Sequence, residues 1–136
     1  MTSRTGIIES QFHCSVIFLL IAIGGAIGSV ARYLLSAAVL RVTGTLFPLG
    51  TFVVNALGCF VFGLIAGAAE QRVALPPPMR AFLLIGVLGG FTTFSSYAYE
   101  SFALIRDGQL LWASINLAAQ VAIGVIGVAV GFFVMR

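Results

Sequence analysis

Long apolar runs alternate with short polar breaks along almost the whole chain. Residues 1–12 are a short polar stretch that carries Arg4, Glu9 and Gln11. The first apolar run starts near Cys14, is interrupted by Arg32 and resumes from Tyr33 to Leu40. Thr43, Gly44 and Pro48 then punctuate a predicted loop. A second run extends from Gly50 to Ala69, and Glu70-Gln71-Arg72 followed by Pro76-Pro77-Pro78 predicts a stiff loop with no helical interior. The third run begins near Met79 and Arg80 and reaches Arg106, where Asp107-Gly108 turns the chain into a fourth run from Leu110 to Met135. A helix needs roughly 20 apolar residues to cross a bilayer. The pattern therefore predicts an all-α membrane protein with one domain, 1–136, and helices over about residues 15–40, 50–69, 79–106 and 110–135. Both termini lie on the same side. Because helical patterning continues past Arg32, the first run reads as a retained span and not as a cleaved signal peptide.

Composition agrees with lipid as the solvent. Of 136 residues, 60% are hydrophobic and 8% charged, with a mean hydropathy of +1.14. A soluble domain carries roughly 25% charged residues, so a soluble enzyme and a disordered module are excluded. The pI near 9.4 does not signal nucleic acid, because all seven basic residues are arginines scattered along the chain. Cys14 and Cys59 form no disulfide framework, and His13 has no second histidine with which to hold a metal.

Charge gives no orientation. Arg4, Arg72, Arg80 and Arg136 fall on the side of the termini, against Arg32, Arg41 and Arg106 on the other, or four against three. Such weak bias under the positive-inside rule allows insertion both ways and pairing of antiparallel subunits. Each helix also carries glycines four apart: Gly24/Gly28, Gly63/Gly67, Gly86/Gly90 and Gly127/Gly131. In lipid this spacing lets helix backbones approach closely.

Polar groups at membrane depth are costly and mark function. They comprise Asn55 in the second helix, a Thr/Ser run in the third, and Asn116 and Gln120 in the fourth. Arg32 and Glu100 are the charges in or near the lipid slab. Neutral donors without a well-placed buried acid suit a passive path for a small anion. The string Gly89-Gly90-Phe91-Thr92-Thr93-Phe94-Ser95-Ser96-Tyr97 lowers helix propensity in mid-span. It predicts a break, which is tolerated at that depth only where protein buries it or a cavity wets it. Freed carbonyls there suit a hard cation. Phe94 and Tyr97, three apart, share a helix face, and their positive ring edges suit an anion.

That string, together with Gly50-Thr51-Phe52-Val53-Val54-Asn55 and Gly28-Ser29-Val30-Ala31-Arg32-Tyr33, resembles the signature segments of the Fluc (CrcB-type) fluoride channels, over essentially the whole chain from about residue 16. The resemblance implies a fluoride-selective passive channel of the bacterial inner membrane that exports cytoplasmic fluoride. It implies an antiparallel, dual-topology homodimer with two pathways and a structural sodium ion at its centre. The sodium would be held by the backbone carbonyls of Gly89 and Thr92. The pathway would be lined by Asn55, Thr93, Phe94, Ser95, Ser96, Tyr97 and Gln120, with Arg32 contributed by the first helix. This chain departs from the family where Tyr97 replaces a common Phe, and where the fourth-helix track reads Gln120, Gly124 and Val128, so that only Gln120 keeps a donor. The alternative, a small dual-topology drug/proton antiporter, needs an acid in mid-helix one, and Ile21 to Val30 contains none. A non-transporting assembly subunit would explain the glycines but leave the hydroxyl string without a role.

Overall fold

A computed structural model describes residues 4–44, 47–71 and 75–136, with side chains from residue 15 onward. Arg72, and the side chains of Arg4, His13 and Cys14, lie outside the described residues. The described fold is all-helical, with four helices long and apolar enough to cross a membrane. Helix α1 covers Arg4–Thr43, α2 Leu49–Glu70, and α6 Leu110–Met135. The third span is composite: α3 (Pro77–Arg80), a π-helix (Ala81–Leu88), α4 (Gly89–Phe91) and α5 (Phe94–Arg106).

Three boundaries differ from the sequence reading, the first being that α1 runs past Leu40 to Thr43. Helical backbone begins at Arg4, inside the stretch read as a polar tail. The triple proline does not keep the chain from turning helical: Pro76 precedes the first turn, while Pro77 and Pro78 open it. Proline is tolerated there because first-turn N–H groups lack intrahelical acceptors in any case.

The ends of the helices follow from local chemistry. Gly44, at φ +56°, closes α1 with its N–H on the Leu40 carbonyl at 3.0 Å. After α5 the chain makes a Schellman turn. There Gly108 sits at φ +74°, its N–H reaches the Ile105 carbonyl at 3.0 Å, and the Gln109 N–H reaches Leu104 at 2.8 Å.

Packing runs in pairs, α1 against the π-helix and α4, and α2 against α6, with α5 leaning on α6. Backbones meet at the glycines. A methyl on Gly24 would stand 2.7 Å from the Phe82 carbonyl oxygen, and one on Gly90 would stand 2.5 Å from that of Gly25. Gly63 and Gly67 likewise abut the backbone at Val128 and Phe132 of α6. Side-chain burial is correspondingly thin, and large apolar residues such as Phe18, Tyr33, Val125 and Phe133 are exposed, as expected where lipid or another protein surface is the solvent.

Candidate functional site

The third span departs from a helix at two residues. Thr92 (φ −81°, ψ 156°) and Thr93 (φ −150°, ψ 113°) are extended between α4 and α5. The Thr92 N–H keeps its helical acceptor, the Leu88 carbonyl, at 3.0 Å; the Thr93 N–H and carbonyl need other partners, and Asn55 of α2 supplies them. Its Oδ1 accepts from the Thr93 N–H at 2.8 Å, and its Nδ2 donates to the Thr93 carbonyl at 3.1 Å. One side chain thus satisfies a whole peptide position. The Thr92 hydroxyl donates to the Leu88 carbonyl at 2.9 Å, and Thr93 caps α5 by accepting from the Ser96 N–H at 3.2 Å.

These diversions strip two carbonyls of their helical donors. The N–H that Gly89 would have received comes from Thr93, and it goes to Asn55. The N–H that Thr92 would have received comes from Ser96, and it goes to the Thr93 hydroxyl. Gly89 and Thr92, the two residues the resemblance assigns to a cation, therefore present oxygen atoms without those donors. Among the described residues no group of three His, Cys, Asp or Glu comes together, so carbonyl oxygen is the ligand type on offer.

Beside the break lies a cavity of about 850 Å³ between α2, the third span and α6. Asn55, Gly89, Thr92, Thr93, Phe94, Tyr97 and Gln120 all line it. The rings of Phe94 and Tyr97 lie 5.5 Å apart at 58°. Phe94 is 79% exposed whereas Tyr97 is 8% exposed. The Tyr97 hydroxyl donates to the Leu117 carbonyl of α6 at 3.0 Å, which ties α5 to α6. Gly124 and Val128 also face the cavity, so the fourth-helix track is apolar beyond Gln120.

Not every expected residue gathers there. Ser95 and Ser96 are not among the lining residues; their hydroxyls sit 3.2 and 3.1 Å from that of Thr93. Arg32 is half-buried on α1 and does not line the cavity.

Sequence reasoning named Asn116 and Gln120 as polar residues at depth but left out Ser101 and the chain of hydrogen bonds that joins them. Asn55 Nδ2 also donates to Gln120 Oε1 at 2.8 Å, Gln120 Nε2 to Asn116 Oδ1 at 3.0 Å, and Asn116 Nδ2 to the Ser101 hydroxyl at 2.9 Å. The Ser101 hydroxyl donates to the Tyr97 carbonyl at 2.8 Å. Asn116 and Ser101 are 0% and 2% exposed. Asn116 was legible as a polar residue at depth, while Ser101 carried only the weak signal of a serine one turn after Tyr97. Glu100, read from sequence only as a charge near the slab, accepts from the buried Thr51 hydroxyl of α2 at 2.5 Å.

Residues 19–132 match the family described as "CrcB-like protein, Camphor Resistance (CrcB)". The chain is 49% identical over 107 residues to the "Fluoride-specific ion channel FluC" of Maridesulfovibrio salexigens, covering 79% of this chain and 85% of that one. It is 46% identical over 118 residues to the protein of the same name from Geobacter sulfurreducens, covering 87% and 95%. With that of Chlorobium phaeobacteroides it shares 47% over 116 residues, covering 85% and 89%. Since the match spans all four apolar helices and the threonine break with its asparagine partner, the chain belongs to the CrcB-like family.

Proposed function

We propose that this protein is a fluoride-selective passive ion channel, and not an enzyme, that exports fluoride from the bacterial cytoplasm across the inner membrane. The observation that carries the reading is the exchange between Asn55 and the Thr93 peptide, which holds the third span open beside a cavity lined by Phe94, Tyr97 and Gln120. The relatives named as fluoride channels support the choice of ion.

The chemistry fits a small, strongly hydrated anion. Fluoride needs donors at short range in place of water, and a narrow low-dielectric setting strengthens each of them. The break supplies an opposed pair of backbone ends. α5 begins at Phe94, capped by Thr93, beside the cavity, and the positive end of a helix favours an anion. Aromatic ring edges add partial positive charge with no formal cation to trap the ion. A passive path suffices for export, since a negative-inside potential favours anion exit by roughly 2.3 kcal/mol per charge per 100 mV.

The reading extends to an antiparallel, dual-topology homodimer. In its support stand the near-equal arginine counts on the two sides and the exposure of Phe94, a pathway aromatic that a single copy leaves 79% open. A sodium ion at the centre of that dimer would be held by the carbonyls of Gly89 and Thr92. Both have lost their helical donors, and oxygen ligands suit a hard cation. Such an ion would supply the positive charge that those uncompensated carbonyls favour. The drug/proton antiporter is disfavoured because the described part of α1 carries no Asp or Glu between Ser15 and Thr43.

Fluoride efflux tests the reading. Liposomes carrying the protein are loaded with equal fluoride and chloride, and both ions are followed by selective electrodes after a potassium ionophore is added. Rapid fluoride release with chloride retained is the expected result; release of neither ion, or of both alike, refutes it.

A further inference from the structure

The hydrogen-bond network behind the cavity has a fixed polarity. A backbone N–H only donates and a carbonyl only accepts. The Thr93 peptide therefore forces Asn55 to present Oδ1 to the N–H at 2.8 Å and Nδ2 to the carbonyl at 3.1 Å. The second proton of Asn55 Nδ2 goes to Gln120, which must present Oε1 at 2.8 Å. Gln120 Nε2 then faces Asn116 Oδ1 at 3.0 Å, and Asn116 Nδ2 faces the Ser101 hydroxyl at 2.9 Å. The far end is pinned as well, because the Tyr97 carbonyl takes the Ser101 proton at 2.8 Å. Amide orientations are ordinarily inferred from the network alone; here a backbone group anchors each end.

Counting protons identifies the donor left over. Around the cavity both Asn55 N–H groups are spent, the Thr92 hydroxyl is on Leu88, that of Thr93 is on Ser96, and that of Tyr97 is on Leu117. Gln120 Nε2 has two protons and one protein acceptor, Asn116. Its second N–H is the single amide or hydroxyl proton among the described cavity-lining side chains without a protein acceptor. If Gln120 turned over, it would bring its nitrogen to Asn55 Nδ2 and its oxygen to Asn116 Oδ1, donor against donor and acceptor against acceptor.

Resting on the fluoride-channel reading, we propose that Ser101 and Asn116 are positioning residues that hold the Gln120 carboxamide so that its free N–H meets fluoride in the cavity. Neither lines the cavity, and both are almost fully buried. They act through Gln120 from the packed side of α5 and α6. In this chain the carboxamide takes over a track whose next positions, Gly124 and Val128, have no donor.

The test uses Ser101→Thr and Ser101→Val in the full chain, a pair of equal shape in which only Thr keeps the hydroxyl. Fluoride and chloride efflux are measured for both variants and for wild type. Ser101→Val is expected to lower the fluoride-to-chloride ratio about fivefold, the factor one hydrogen bond of about 1 kcal/mol represents, and Ser101→Thr to restore it. Equal ratios for Val, Thr and wild type overturn the proposal, since a purely structural role would move stability without moving selectivity. A wild type that does not discriminate overturns the channel reading itself. Should the Val variant not fold, the wild type alone decides by 15N–1H spectroscopy. Fluoride is expected to shift one of the two Gln120 side-chain amide protons and leave its partner in place, and a shift of both or of neither overturns the assignment.

Discussion

Replacing Asn55 with Ala probes the centre of the site. The wild-type side chain makes three hydrogen bonds: from the Thr93 N–H at 2.8 Å, to the Thr93 carbonyl at 3.1 Å and to Gln120 Oε1 at 2.8 Å. Alanine leaves all three partners orphaned. Each buried group left unpaired costs roughly 1–3 kcal/mol. Asn55 is only half-buried, so the lower end applies and the sum is about 3 kcal/mol. Relief is available if Thr92 and Thr93 return to helical angles, where Thr93 N–H can donate to Gly89. That return removes the break, so the stability lost and the transport lost have one cause. At about 1.4 kcal/mol per decade the full loss corresponds to roughly a 100-fold fall in fluoride efflux.

The assay is fluoride efflux from liposomes, normalised to protein that elutes as a single folded species. Asn55→Asp provides the control. Aspartate still accepts from the Thr93 N–H but faces its second oxygen toward the Thr93 carbonyl and Gln120 Oε1, both acceptors, and it adds negative charge beside the cavity. It should conduct fluoride no better than Asn55→Ala. Efflux within threefold of wild type for Asn55→Ala would refute the argument that this side chain holds the break.

Three further outcomes follow from the geometry. Tyr97→Ala should lose at least tenfold more fluoride efflux than Tyr97→Phe, because the hydroxyl is spent on the Leu117 carbonyl while the ring lines the cavity; equal losses would mean that the hydroxyl serves the ion. Gly24→Ala should lower stability by about 1–3 kcal/mol, the range for an overpacked contact, since its methyl would meet the Phe82 carbonyl oxygen at 2.7 Å, whereas Gly25→Ala, whose nearest neighbour is 4.0 Å away, should be tolerated; thermal unfolding in detergent separates the two. On the proposed dimer with its sodium site, dialysis into sodium-free buffer should raise the monomer fraction in light scattering, and an unchanged distribution would count against the carbonyl cation site.

Much of the site was legible one residue at a time. Asn55 was conspicuous because an amide in an apolar helix must find a partner, and the Gly-Gly-Phe-Thr-Thr string because two glycines and two β-branched threonines weaken a helix where nothing else interrupts it. The π-helical stretch just before the break was not legible. Its residues, Ala81–Leu88, are apolar throughout and carry no mark of an altered period. Nor was the pairing of Asn55 with the Thr93 peptide, 38 residues away, since nothing in either segment names the other.

By itself the sequence determined the solvent, the number of spans, the place where the third one weakens and the small-residue stripes along each helix. Those are local consequences of side-chain polarity and backbone propensity, and they need no knowledge of what lies opposite. Only the tertiary structure decided which polar group satisfies which. Asn55 turned out to serve a peptide, the Tyr97 hydroxyl a carbonyl on α6, and Ser101 with Asn116 the carboxamide of Gln120. A hydrogen bond is set by distance and direction between chain segments, and within lipid almost every donor must be spent on the protein itself. Which proton remains for an ion is therefore a property of the packed bundle.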